Sequence, residues 1–279
     1  MARPAISVIT PCFNDGRFLY LPLESVRAQS FQDYEHIVVN DGSTDAGTLK
    51  ALKEIDDPRV RVIDQSNTGL PGARNTGIRA AKGQYILPLD ADDRIPPRAL
   101  ARMHAELEAS PSAAVVYGDY QLFGSSERLV RTGNFNTYGI LFANFMPVCS
   151  MFRRVAWENV GGYTETMKGF EDWEFWIKLV EKGHTFRKID EVLYYHHVHE
   201  ANMWLRDRGK WRSLVAQIRQ FHPQLYSREH LAAQRRVNRV TWLEEVVYRL
   251  PPPLRHALRQ HLGPGLIGVA RKAGFYRDY

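Results

Sequence analysis

Cysteine is scarce: two in 279 residues, Cys12 and Cys149, with no CxxC pair. That excludes a disulfide framework and a structural zinc knuckle, and it suits a reducing compartment. Long apolar runs are missing as well. No uninterrupted stretch approaches the roughly 20 residues that cross a bilayer, and the opening MARPAISVITPCF passes into a strand-like run without a basic region or cleavage site. The expectation is a cytoplasmic protein, peripheral to the inner face of the membrane at most. The chain lacks GxGxxG, GxxxxGK[ST] and HExxH, which removes support for a Rossmann dinucleotide site, a P-loop and a zinc protease. Internal repeats and long low-complexity segments are absent too. What is present is ordinary globular material, 44% hydrophobic and 24% charged. The 37 basic against 31 acidic residues leave +6, which suits an anionic partner such as a nucleotide diphosphate, an acidic lipid headgroup or nucleic acid.

Short apolar runs alternate with helical patterns. Residues 5–10 (AISVIT), 35–40 (EHIVVN), 59–63 and 84–89 read as strands. Residues 18–29, 46–55 and 70–81 read as helices, and Pro97 opens another that ends near Ala109. This predicts an α/β fold with a mostly parallel central sheet flanked by helices, its ligand crevice at the carboxyl ends of the strands. Past Ser110, 113–117 (AAVVY) reads as a buried strand, GILFANFMPVCSMF as an acceptor-side wall, 171–182 as an amphipathic helix and 192–198 as a further strand. From about residue 206 the composition turns to Arg-rich helices at 211–221, 228–250 and 254–262, split by three prolines. The expected division is a main α/β domain over 1–205, with halves at 1–110 and 111–205, and a basic helical extension over 206–279.

Each candidate motif up to residue 110 sits at a strand end. In LDADD, Asp90 and Asp92 are one residue apart and in extended geometry point the same way, while Asp93 points elsewhere. Paired carboxylates repel, and a bound Mn²⁺ or Mg²⁺ that bridges to phosphate oxygens offsets the repulsion. Taken alone, such a triplet is more often helix capping or a solvated turn. In NDGSTD, Asp41 can accept from a base imide or a ribose hydroxyl, or the segment simply caps a helix. In NTGLPGARNTG, glycines precede a helix with Arg74 on its first turns, where a guanidinium can serve a base or a phosphate.

As a set, PCFN, NDGSTD, GARNTG, LDADD and FEDWEFW, in this order over about the first 200 residues, resemble the family 2 glycosyltransferases, which have the GT-A fold. The resemblance implies that Pro11, Phe13, Asp41 and Arg74, together with Asp90, hold a nucleotide diphosphate sugar. It implies that Asp90 and Asp92 hold a divalent metal on the diphosphate, and that Asp172 of the ED pair takes the acceptor hydroxyl proton in an inverting transfer. Glu171 and Trp173 would then border the acceptor cleft. The family's aromatic-Arg-x-His segment aligns with HHVH, so His199 would approach the metal. His196 stands where an aromatic is usual and His197 where an Arg is usual, which makes donor affinity pH-sensitive if His197 supplies the second cation.

The acceptor implied is a glycan, lipid-linked or small-molecule hydroxyl. The basic C-terminal helices, with Arg235, Arg236, Arg239, Arg249, Arg255 and Arg259, either rest on anionic lipid, as a lipid-linked acceptor would require, or pack their apolar side on the catalytic domain. Nucleic acid is excluded as a partner, because no reading motif exists and acidic clusters stand where phosphates would lie. The rival reading is a non-catalytic nucleotide- or carbohydrate-binding module on the same fold.

Overall fold

The structure, a computed structural model, describes residues 3–199 and 210–250. Among the described residues eight strands, numbered β1 to β8 along the chain, form one sheet in the order β3-β2-β1-β4-β7-β5-β6, with β8 paired to β5. The first half is a parallel αβ unit. Strands β1 (Ile6–Cys12), β2 (Tyr34–Asp41), β3 (Val60–Gln65) and β4 (Tyr85–Pro88) alternate with helices α1 (Tyr20–Arg27), α2 (Ala46–Lys53) and α3 (Leu70–Ala80). All of β1 and nearly all of β2 are buried, as near-continuous apolar runs require when helices cover both faces.

The register aligns Cys12 with Asn40 and Asp41 with Gln65, so the loops after β1, β2 and β3 leave the sheet at the same end. β1 and β4 pair only as far as Ile9 and Pro88, and the chain moves outward from β1 to β2 and β3 before crossing to β4 on the other side. That reversal opens a crevice between the carboxyl ends of β1 and β4, the place where open α/β sheets bind ligands.

The second half is less regular. Helix α4 (Ala99–Ala109) leads to β5 (Ala113–Gly124), the short β6 (Arg128–Val130), β7 (Met151–Arg153), α5 (Arg154–Asn159), α6 (Glu171–Glu181) and β8 (Thr185–Val198). β7 runs antiparallel to both β4 and β5, and β8 runs parallel to β5. Helix α6 is buried on almost every side rather than amphipathic, with Glu174 at 1% exposure among its aromatics; Lys178 and His222 compensate that charge at 3.9 and 3.2 Å.

The expected helix over 228–250 is two, Arg228–Val237 and Trp242–Arg249, following Trp211–Phe221. Arg239 at φ 51° turns the chain between them. Thr241 caps the last helix, its side chain and that of Glu244 each accepting the other's backbone amide. These helices bury Leu214, Val215, Ile218, Leu225, Val240 and Tyr248 in the same core as Trp173, Phe175 and Trp176 of α6. Residues 211–250 are therefore packed into the catalytic unit by their apolar sides, the second of the two arrangements expected. The helix expected at 254–262, with Arg255 and Arg259, lies outside the described residues. Among the described residues no helix is long and apolar enough to cross a membrane.

Candidate active site

Three loops meet at the β1/β4 crevice. Asn14, in the left-handed region at φ 57°, accepts at its side-chain oxygen from the amides of Thr44 and Asp45, and its own amide donates to Ser43 Oγ at 3.1 Å. Asn tolerates that backbone better than most residues. The PCFN and NDGSTD loops are thereby locked together, with Pro11 buried and the Phe13 ring 46% exposed beside them.

Asp41 is 3% exposed. Its Oδ1 accepts from Gln65 Nε2 and the Thr68 amide, and its Oδ2 from the Gly69 amide, all within 2.9 Å. The carboxylate expected to read a nucleotide thus mainly fixes the 65–69 loop, because two free amides at the start of α3 lie within its reach.

Arg74 corrects its expectation more fully. It is 1% exposed, and its Nη2 donates to Asp90 Oδ1 at 2.7 Å while Nη1 donates to Glu171 Oε1 at 2.6 Å. Burial opposes its charge, and the two carboxylates more than offset that, so it stays a cation. Its Nη groups hold carboxylates rather than a base or phosphate, and they tie GARNTG, LDADD and FEDWEFW into one constellation.

In LDADD the chain makes a tight turn, with the Asp93 amide donating to the Asp90 carbonyl at 3.1 Å. Strand alternation therefore does not apply, and the three carboxylates take three directions. Asp90 goes to Arg74. Asp92 Oδ2 lies 2.8 Å from His199 Nε2. Asp93, fully buried, accepts from the Tyr194 hydroxyl and from the His197 amide at 2.7 Å, with His196 Nδ1 at 3.2 Å. Asp93 pins the turn to β8, helped by reciprocal backbone bonds between Arg94 and Tyr195.

Burial, with the neighbouring Asp93 and Asp90 charges, pushes the Asp92 carboxyl up to about 9. Among the described residues no three His, Cys, Asp or Glu side chains converge to cage an ion on their own. The donor set is nevertheless one that suits Mg²⁺ or Mn²⁺, which bind through one or two carboxylates plus substrate phosphates. Asp92 and His199 are adjacent, Asp90 Oδ2 is not used by Arg74, and the crowded carboxylates call for a cation.

His197 departs from its expected role. Its ring stacks on Phe123 at 4.7 Å and meets Phe18 edge-on at 4.8 Å. Burial and neighbouring His199 hold it below the usual imidazole range, so it packs as a neutral ring. Sequence reading passed over Arg17. Its guanidinium sits 4.4 Å over the Phe18 ring, and its charge depresses both His197 and His199. One signal was available: Arg17 follows the PCFN loop by three residues.

At the head of α6, Phe170 at φ 58° turns the chain into the helix. Glu171 and Trp173 face inward at 5% and 2% exposure, Glu171 on Arg74 and Trp173 with Nε1 donating to the Ile140 carbonyl. Neither lines an open cleft; both belong to the support behind it. Asp172 between them is half-buried. Its Oδ2 accepts from Asn144 Nδ2 at 2.9 Å and its Oδ1 from the Trp173 amide at 2.7 Å. Asn144, from the expected wall segment, was not singled out by sequence.

A family model described as "Glycosyl transferase family 2" matches residues 7–171. Chondroitin synthase of Escherichia coli is 32% identical over 205 residues, 71% of this chain and 30% of that protein. Hyaluronan synthase of Pasteurella multocida is 28% identical over 212 residues, 74% of this chain and 22% of that protein. The chain thus spans less than a third of the length of these relatives. Among solved structures, residues 1–349 of Staphylococcus aureus TarS in complex with UDP-GlcNAc match with a TM-score of 0.66 at 19% identity, over 98% of this chain and 89% of that one. A mannosyltransferase from Pyrobaculum calidifontis in complex with GDP-Man and Mn²⁺ matches at 0.58 and 18% identity, over 98% and 85%. These structural likenesses establish a GT-A glycosyltransferase fold.

Proposed function

The chain belongs to glycosyl transferase family 2, and from that premise we propose that it moves a sugar from a nucleotide diphosphate sugar, with UDP as the nucleotide, to an acceptor hydroxyl with inversion. The observation that carries this reading is the Arg74 bridge, which holds Asp90 and Glu171 at 2.7 and 2.6 Å. One buried cation thereby joins Asp90 of LDADD to Glu171, the neighbour of Asp172, which supports a transfer between two substrates in one crevice. The TarS complex with UDP-GlcNAc supports UDP as the first nucleotide to try.

In this reading residues 1–110 handle the donor and 111–205 the acceptor. Phe13 offers its exposed ring to the base. Arg17 supplies the cation for the diphosphate that His197 does not. Asp90, Asp92 and His199 would hold a Mn²⁺ or Mg²⁺ ion, which when bound neutralises charge developing on the leaving diphosphate. Asp172, oriented by Asn144, accepts the acceptor's proton as its oxygen forms a bond to the anomeric carbon and the bond from that carbon to the diphosphate oxygen breaks. The acceptor is a glycan or lipid-linked hydroxyl, met in the cytoplasm or at an anionic membrane face.

The test is Asp172→Asn assayed for release of UDP from UDP-GlcNAc with acceptor glycans. Turnover falls about 10²- to 10⁴-fold while UDP affinity stays within a factor of about two, because the base does not touch the nucleotide. Unchanged turnover would remove Asp172 from the mechanism; a wild type that binds nucleotide and never turns over would favour the binding-module reading.

A further inference from the structure

The helices after residue 210 enclose an open pocket of about 760 Å³ whose lining shares no residue with the crevice. Five arginines line it, Arg228, Arg235, Arg236, Arg239 and Arg249, against one carboxylate, Glu245. Glu245 is shared by Arg235 at 2.6 Å and Arg249 at 2.7 Å. Among the described residues, Arg228, Arg236 and Arg239 have no carboxylate within ion-pair distance. Tyr226, Leu231 and Val240 supply apolar wall.

Five guanidiniums in one concavity repel each other, and low-dielectric walls concentrate their field. A multivalent anion offsets that repulsion. Phosphate suits better than a carboxylate, since its several oxygens accept paired donors from more than one guanidinium. The chain that follows does not complement the pocket: residues 251–279 carry four arginines and one lysine against one aspartate.

The pocket is also joined to the acceptor side of the crevice. The Tyr226 hydroxyl donates to the Leu141 carbonyl at 3.0 Å, and Asn238 Nδ2 to Thr137 Oγ1 at 2.7 Å. The same segment continues to Asn144, which holds Asp172.

We propose that this pocket is a binding site for a phosphate group, carried either by a soluble or polymeric ligand on the acceptor side or by a membrane lipid. The assignment stands apart from the donor-site reading and is tested without turnover. The full chain is titrated calorimetrically with inorganic phosphate, and separately floated with phosphatidylcholine vesicles with and without phosphatidylglycerol.

The variant is Arg236→Gln/Arg239→Gln, with Arg228→Gln as an independent second. Lys53→Gln/Lys182→Gln, exposed positions elsewhere, is the control matched in charge to the double variant. The expected result is a loss of association of about tenfold in the pocket variant, with no change in the control and melting temperatures unaltered. Loss against phosphate alone identifies a soluble or polymeric source. Loss against phosphatidylglycerol vesicles identifies a lipid headgroup. Failure of the wild type to bind either probe, unchanged binding in both pocket variants, or an equal loss in the control would overturn the site.

Discussion

Each carboxylate of LDADD has its own partner, and at the scale of single residues that division of labour explains the turn. Asp90 is set by Arg74, Asp92 by His199, and Asp93 by the Tyr194 hydroxyl and β8 backbone. Residue type and position, at a strand end for Asp90 and Asp92 and at a helix start for Asp172, singled these carboxylates out in the sequence. Their partners were not, because Arg74 and Glu171 are 97 positions apart and nothing local distinguishes a buried guanidinium from one that reaches a phosphate. A prediction at this scale concerns His36, 1% exposed, with Nε2 2.8 Å from Thr10 Oγ1. Burial holds its imidazole down to about 4. The unfolded chain, with an ordinary pKa near 6.5, takes up the proton first. Stability therefore falls as pH drops from about 6.5 to about 4, by on the order of 3 kcal/mol from this residue. Urea midpoints at pH 7 and 4.5 check it. His36→Gln flattens the difference, and an equal difference in variant and wild type would contradict the assignment.

At the scale of elements, strands with continuous apolar runs announce themselves and short or polar ones do not. β6 and β7 have three residues each, too few for a period. β5 runs on through GDYQLFG, which pairs with the later residues of β8 up to Val198, and β8 begins at TFRKID, which pairs with the apolar start of β5; both polar segments are held by pairing rather than by burial on both faces. The break at 238–241 was legible after all: Thr241 followed three residues later by Glu244 is a capping signature. Helix α3 lies close to the sheet because it is small-faced. A Cβ on Gly77 would sit 2.4 Å from Ile9 Cγ2 and 3.2 Å from Val39 Cγ2, both fully buried. Gly77→Ala is expected to lose about 1–3 kcal/mol through overpacking. It should also weaken nucleotide binding, since α3 carries Arg74. Thermal unfolding and UDP titration read the two effects, and a variant as stable as wild type would show that α3 has room to shift.

At the scale of the molecule, residues 211–250 share one core with the sheet and α6. His222 lies 3.2 Å from Glu174 and 2.8 Å from Glu181 of α6, the helix whose first turn carries Asp172. Composition separated 206–279 from the rest because arginine content changes there; the shared core shows that exposed faces, not packing, caused the change. A chain ending at residue 209 would uncover the apolar surface that Leu214, Val215, Ile218 and Tyr248 now cover. It is expected to aggregate or bind a hydrophobic dye strongly, and a monomeric product with native near-ultraviolet circular dichroism would contradict the single-core account.

The central claim is that the β1/β4 crevice closes on a nucleotide diphosphate through the LDADD turn. Calorimetric titration of the protein and of Asp92→Ala with UDP, dTDP and GDP, each with and without Mn²⁺, tests it most directly. The account predicts that one nucleotide, UDP, binds in a Mn²⁺-dependent way and that Asp92→Ala abolishes the dependence. Absence of binding by any of the three under either condition would contradict it and reduce those carboxylates to turn chemistry.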